Sequence, residues 1–134
     1  MARLWRRWCT ALVGATVLVA GCTSQAGVIT QHQEKFESLG ATTAAIAEAW
    51  LGGSASGTFT RTALEQTYQL VEQQRTALAS KPAALSDSRG AHLSEAAERL
   101  SRLLASMIDD VEHGNAGALR EHVAQIPIRP SHQP

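Results

Sequence analysis

Residues 93–111, LSEAAERLSRLLASMIDDV, contain the pattern that decides the fold. Apolar side chains recur there in steps of three and four residues, which places them along one face of an α-helix. The members of this stripe are Leu93, Ala97, Leu100, Leu104, Met107 and Val111. Leu103 and Ile108 widen the stripe, as is typical of a helix that faces the core of a bundle. This helix is predicted to begin near Ser86 or Ser88 and to stop at Gly114.

Two more long helices are predicted upstream of this stretch. The first begins with a capping box formed by Thr30 and Gln33, and it ends at Leu51, before the loop GGSASG at 52–57. Its inward face is predicted to carry Phe36, Leu39, Thr43, Ile46 and Trp50. The second begins at Thr58 or Thr62 and ends at Lys81, because the residue before a proline avoids helical geometry. Its face is predicted to carry Leu64, Tyr68, Val71, the stem of Arg75 and Leu78.

A short helix is predicted after the third long one. Asn115 caps it, and Pro127 ends it. Its inward residues are predicted to be Leu119, Val123 and Ile126. We therefore expect an all-α fold, a small antiparallel bundle of three long helices and one short helix over residues 30–126, because short connections favour antiparallel neighbours. Residues 127–134 are predicted to form a flexible C-terminal tail.

The N-terminus predicts export. Arg3, Arg6 and Arg7 precede an apolar run over residues 8–20. That run is too short for the roughly 20 residues of a membrane-spanning helix. A basic start, a short apolar run and small residues at its end are typical of a secretory signal peptide. Residues 1–21 are therefore predicted to be removed.

The end of this run, Val19-Ala20-Gly21-Cys22, resembles the lipobox of bacterial lipoproteins. The resemblance covers only residues 1–22. It implies cleavage between Gly21 and Cys22, a diacylglycerol on the thiol of Cys22 and an acyl group on its new amino group. Two or more acyl chains give stable membrane anchoring. Residues 22–29 are then expected to form the lipidated cysteine and a short linker, which would keep the bundle close to its membrane.

The resemblance also implies a location in the cell envelope. Thr23 follows the cysteine, where the family uses Asp to retain lipoproteins in the inner membrane. In an organism with two membranes this implies the periplasmic face of the outer membrane. With a single membrane it implies the outer face of the cell membrane.

The composition of the processed chain limits the classes of partner and cofactor that we expect. After cleavage 113 residues remain, with 9 basic and 12 acidic side chains. A mildly acidic domain argues against nucleic acid as a partner. Cys22 would be the only remaining cysteine and would carry lipid. We therefore expect no disulfide, no cofactor other than the covalent lipid, and a fold that packing alone stabilises.

The C-terminal turn of the third helix carries Asp109, Asp110 and Glu112. Acidic side chains are unfavourable there because the helix end has a partial negative charge. Residues that are locally unfavourable sometimes mark a functional site, so these three acidic residues could form a patch that binds a basic partner. The alternative is a solvated helix end paired with Arg120.

Catalytic and metal-binding patterns are weak. Asp109 and His113 share a helix face and could form a metal site with His122, but the Glu-x-x-His pairs of di-iron bundles are lacking. We therefore predict surface histidines, no metal site and no enzyme. On the same helix Glu95 with Arg99, and Glu98 with Arg102, are expected to form ion pairs.

These observations favour a membrane-anchored envelope lipoprotein that acts as a non-enzymatic protein-interaction or structural module. One alternative is a carrier that holds a small hydrophobic ligand or lipid in a cleft between helices. Another is a pilotin-like accessory of a secretion complex. Secretin pilotins are similar in architecture, but the resemblance implies a disulfide in the bundle that this chain could not form. A homodimer is possible, since the short fourth helix could not cover the three long ones.

Overall fold

The computed structural model describes residues 24–127 of the 134-residue chain. Five helices and no strand occur in this range. They are α1 (Gln25–Leu51), α2 (Gly57–Ala79), α3 (Pro82–Ser86), α4 (Ser88–Glu112) and α5 (Ala116–Ala124). The all-α prediction is confirmed. The signal peptide at 1–21, the lipobox, Cys22 and the tail beyond Pro127 lie outside the described residues.

The core forms where α4 meets α2 and where α2 meets α1. All six members of the predicted α4 stripe are buried. The predicted α5 residues Leu119, Val123 and Ile126 are buried too. α2 packs against both α1 and α4, and α1 and α4 also contact each other. The three long helices therefore enclose the core together.

The inward faces of α1 and α2 contain three buried threonines, and only Thr43 was predicted. Thr43, Thr60 and Thr67 are at most 4% exposed. Each hydroxyl donates to the carbonyl four residues earlier, at 2.8 Å in all three cases. These bonds satisfy the hydroxyls and allow their burial. Tyr68, predicted to face inward, is only partly buried because Thr67 takes the inward position.

The predicted starts of α1 and α2 were wrong. α1 begins at Gln25, where the side chain of Ser24 accepts a hydrogen bond from the backbone N–H of Gly27. The predicted linker at 22–29 is therefore helical from residue 25. The extra turn is stable because it buries Ile29 and because the Gln25 amide donates to the carbonyl of Ala83 on α3. α2 is capped by Ser56 rather than by Thr58 or Thr62.

The short helix α3 was not predicted. α2 ends at Ala79, and Pro82 opens α3 at the first helical turn, where its missing N–H costs nothing. A single residue, Asp87, then separates α3 from α4, and its carboxylate caps α4 by accepting from the N–H of Arg89 at 2.8 Å. Gly90 brings α4 against the backbone of Ala84.

The end of α4 and the start of α5 agree with the predictions from the sequence. α4 stops at Glu112, and Gly114 adopts a positive φ of 67°, which favours glycine. Asn115 caps α5 by accepting from the N–H of Ala118 at 3.1 Å.

The helices define two ends of the bundle. The Gln25 contact with Ala83 places the start of α1 beside α3, and we call this the proximal end because it is nearest to Cys22 in the sequence. Arg61 of α2 lies 4.0 Å from Glu112 of α4 at the opposite end, which we call the far end. A helix of 27 residues such as α1 spans about 40 Å. The two ends are therefore well separated.

A buried histidine lies in the half of α1 nearest the proximal end. His32 is 5% exposed, and its Nδ1 has no hydrogen-bond partner among residues 24–127. Burial lowers the pKa of His32, and the positive charges of Lys35 and Lys81 lower it further. The folded protein therefore favours a neutral ring, whereas an unfolded chain takes up a proton near pH 6.5.

This difference predicts a pH-dependent stability. The contribution of His32 should be complete above about pH 6.5 and should fall as the pH drops through the lowered pKa, because the unfolded state then binds more protons. Urea unfolding of His32→Leu between about pH 7.5 and about pH 5 should show a smaller loss of stability than the wild type. The raised pKa of His113 acts in the opposite direction, so the comparison between proteins isolates His32. The exposed His92→Leu serves as the control and should keep the wild-type dependence.

Candidate functional site

The three acidic residues at the end of α4 do not share one surface. The side chains of Asp109 and Glu112 are 72% and 55% exposed, whereas that of Asp110 is 9% exposed. Asp110 follows Met107 by three residues, so it continues the buried stripe of α4. The predicted three-residue patch is therefore reduced to Asp109 and Glu112.

Asp110 instead forms an interhelical pair with His122. Its Oδ2 lies 2.6 Å from Nδ1 of His122, which is in the last turn of α5. The backbone carbonyl of Asp110 also accepts from the N–H of Asn115 at 2.7 Å. Because an ionised carboxylate only accepts hydrogen bonds, this pair fixes the ring orientation of His122. Asp110 thus joins α5 to α4.

Asp110→Ala should lower the free energy of unfolding by about 2 kcal/mol, because it removes a partly buried, charge-assisted hydrogen bond and leaves Nδ1 of His122 without its partner. Urea unfolding near neutral pH measures the change. The neighbouring Asp109→Ala is the control, and its effect should stay within about 0.5 kcal/mol because the side chain is exposed. Equal effects of the two substitutions would contradict the structural role of the pair.

Glu112 lines a groove at the far end. This groove has a volume of about 430 Å³. Its lining is Gly57, Thr58, Arg61, Thr62, Glu65, Val111 and Glu112. Arg61 donates to Glu65 at 2.9 Å and lies 4.0 Å from Glu112, so it partly offsets the negative charge. The predicted pairing of this helix end with Arg120 is wrong, since Arg120 forms no ion pair among residues 24–127.

The possible metal ligands Asp109, His113 and His122 are not brought together. His113 Nδ1 lies 2.9 Å from the carbonyl and 3.3 Å from the carboxylate of Asp109. The Asp109 carbonyl, followed by its carboxylate, raises the pKa of His113. His122 pairs with Asp110 instead. Within the described range, no three His, Cys, Asp or Glu side chains cluster as metal ligands.

A second groove, which the sequence pattern did not predict, lies between α4 and α5. Its volume is about 300 Å³. Its lining is Arg99, Arg102, Leu103, Ser106, His122 and Gln125. The sequence feature that could have predicted this groove is the three-residue spacing of Arg99 and Arg102. This spacing puts both guanidinium groups on one helix face. Of the two predicted ion pairs on α4, that of Glu98 with Arg102 is present, and that of Glu95 with Arg99 is not.

No protein-family model, curated protein or solved structure matches this sequence. None of the helices between residues 24 and 127 combines the length and the apolar character needed to cross a membrane.

Proposed function

We propose that this protein is a lipid-anchored lipoprotein of the cell envelope whose helical bundle acts as a non-enzymatic protein-interaction module. The observation that carries the proposal is the lipobox-like Val19-Ala20-Gly21-Cys22 at the end of a basic and apolar leader. The cysteine would become the first residue of the processed chain. Its acyl chains would hold the bundle at the membrane.

The start of α1 supports a short tether. Only Thr23 and Ser24 separate Cys22 from Gln25, the first residue of α1. Even when fully extended, this segment spans only about 10 Å. Anchoring at Cys22 would therefore hold the proximal end against the membrane, and an upright bundle would carry its far end about 40 Å above it.

The far end supports a basic partner. Asp109 and Glu112 are exposed there, and Glu65 lines the adjacent groove. A partner with lysine or arginine side chains would complement these carboxylates, and such complementarity mainly raises the association rate and the specificity. The partner we propose is an envelope protein that approaches the membrane from the side facing the bundle.

The anchor is tested by Cys22→Ser. The wild type should fractionate with membranes and carry a lipid mass increment, and Cys22→Ser should lose the increment, because a hydroxyl does not replace the thiol in the thioether. The signal peptide of the variant is expected to remain uncleaved, so the lipid mass increment is the deciding readout. A wild-type protein without this increment would exclude the anchor.

The partner surface is tested by crosslinking in intact cells, followed by mass spectrometry. The double variant Asp109→Lys and Glu112→Lys should lose a partner that the wild type captures. The control, Glu34→Lys and Glu95→Lys, makes the same charge change at exposed positions outside the far-end groove and should retain it. Loss in both variants would indicate a general charge effect and would contradict a defined surface.

The geometry of the grooves supports the alternative functions less than it supports a protein-interaction module. A carrier for a hydrophobic ligand needs an apolar cleft, whereas the two grooves described above are lined mainly by polar and charged side chains. The pilotin-like alternative and the homodimer remain predictions. Placement at the outer membrane or at a single cell membrane is likewise a proposal, which depends on the envelope of the organism.

A further inference from the structure

The groove between α4 and α5 concentrates positive and hydrogen-bonding groups. Arg99, Arg102 and His122 line it together with the hydroxyl of Ser106 and the amide of Gln125. Among the described residues that line the groove, Leu103 is the one apolar member. The groove thus differs from the far-end groove, where Arg61 is outnumbered by Glu65 and Glu112.

The two arginines differ in their availability. Arg102 donates to Glu98 at 2.5 Å, and both side chains of this pair are more than half exposed. Such an exposed pair contributes little to stability and can be exchanged for another anion. Arg99 forms no ion pair within residues 24–127, so its guanidinium is available without such an exchange.

His122 is held in place at the wall of the groove. Its Nδ1 is engaged by the buried carboxylate of Asp110, so Nε2 is the ring nitrogen left for a ligand. A neutral ring would accept there from a P–OH group, and a protonated ring would donate to a phosphate oxygen. Asp110 therefore acts as a positioning residue for a hydrogen bond that a phosphate can make in either state.

We propose that the α4–α5 groove binds the phosphoryl group of a soluble ligand. Two guanidinium groups three residues apart provide several N–H donors, and a guanidinium matches the oxygens of phosphate with paired hydrogen bonds. His122 adds a single hydrogen bond. The hydroxyl of Ser106 donates to the carbonyl of Arg102 at 3.2 Å, so it can accept one from a P–OH group. A cation is disfavoured by the two arginines, and an apolar ligand finds only Leu103.

The position of the groove favours a soluble ligand over a lipid headgroup as the source of the phosphoryl group. Arg99 and Arg102 lie near the middle of α4, which runs from Ser88 at the proximal end to Glu112 at the far end. Arg102 follows Ser88 by 14 residues, or about 20 Å along the helix. A headgroup of the anchoring membrane would lie below this height in an upright bundle. The choice of a soluble source rests on the proposed anchoring, whereas binding of the phosphoryl group does not.

Inorganic phosphate is the probe that tests this site. The lipidated, 15N-labelled protein in a non-ionic detergent is titrated while the ring signals of His122 and the side-chain signals of both arginines are followed. Saturable shifts are expected. Arg99→Gln and Arg102→Gln should each weaken binding about tenfold, as the loss of one charge-assisted hydrogen bond implies. Glu98→Gln should strengthen it severalfold, because it releases Arg102.

Arg89→Gln is the matched control, since it removes one positive charge from an exposed position on the same helix outside the groove. It should bind phosphate as the wild type does. Absence of a saturable shift at His122, or equal weakening by Arg89→Gln, would overturn the site. The gain expected for Glu98→Gln keeps the test valid even if an arginine variant is less stable.

A second experiment distinguishes a soluble phosphate from a lipid headgroup as the ligand of this groove. Vesicles of phosphatidylcholine with or without phosphatidic acid replace the detergent. If phosphatidic acid leaves the His122 signals unchanged and added inorganic phosphate shifts them, the soluble source is supported. If only phosphatidic acid shifts them, the soluble source is overturned. Because neither arm requires a protein partner, these outcomes are independent of the crosslinking experiment.

Discussion

Replacing Phe36 with alanine is expected to lower the free energy of unfolding by about 3–5 kcal/mol. The ring is fully buried on α1, in the core that α1 shares with the other helices. Its loss removes apolar surface from the core and leaves a cavity that three long helices cannot fully close. Total stabilities of single domains are about 5–15 kcal/mol, so the variant should be close to unfolding. Urea unfolding followed by circular dichroism measures the change.

Phe59→Ala provides a control with the same chemistry. Phe59 lies in the first turn of α2 with 63% of its surface exposed. Its truncation should change the stability by no more than about 0.5 kcal/mol, because little apolar surface leaves a buried site. A loss at Phe59 comparable to that at Phe36 would show that the ring is buried against something outside the bundle, such as a second copy.

Replacing Gly90 with alanine is expected to cost about 3 kcal/mol, the upper part of the usual range for overpacking. A Cβ at this position would lie 1.8 Å from the carbonyl oxygen of Ala84 and 2.7 Å from its carbonyl carbon. Backbone atoms cannot swing aside, so α3 would have to move away from α4. The movement would expose Ala84, which is only 2% exposed. Thermal and urea unfolding should both report the loss.

Gly117→Ala tests the opposite situation within the same protein. Gly117 lies in α5, and a Cβ there would meet only Oδ1 of Asn115 at 3.8 Å, an ordinary contact distance. The substitution should raise the stability by about 0.5 kcal/mol, because alanine loses less backbone entropy than glycine in a helix. If Gly90→Ala proved as mild as Gly117→Ala, the close approach of α3 and α4 would be incorrect.

Helical periodicity predicted the parts of the fold in which apolar residues recur without interruption. The α4 stripe and the inward residues of α5 are buried as expected. The start of α1 was missed because it depends on tertiary contacts. Ile29 is followed one turn later by the polar residues His32 and Gln33, so it does not continue an apolar stripe. The Gln25 contact with Ala83 joins residues 58 positions apart. α3 was missed because five residues are too few to show a periodic pattern.

The functional residues were harder to predict for a different reason. The helical periodicity of α4 could have predicted that Asp110 lies on the buried stripe, because it follows Met107 by three residues. Its partner His122 is on another helix, and the turn between the helices sets their relative rotation. The groove around Arg99 and Arg102 depends on the same rotation. The sequence pattern predicted the two arginines only as ion-pair partners of the glutamates one turn earlier.

The short connections have a consequence for folding speed. One to five residues join each helix to the next, and helices that follow one another in the chain pack side by side. Contacts of this kind close small loops and give a low contact order, which is associated with folding in microseconds to milliseconds. A chain that crosses a membrane before it folds, as we propose for this one, would therefore hide its apolar stripes soon after arrival. That would leave little time for proteolysis or aggregation.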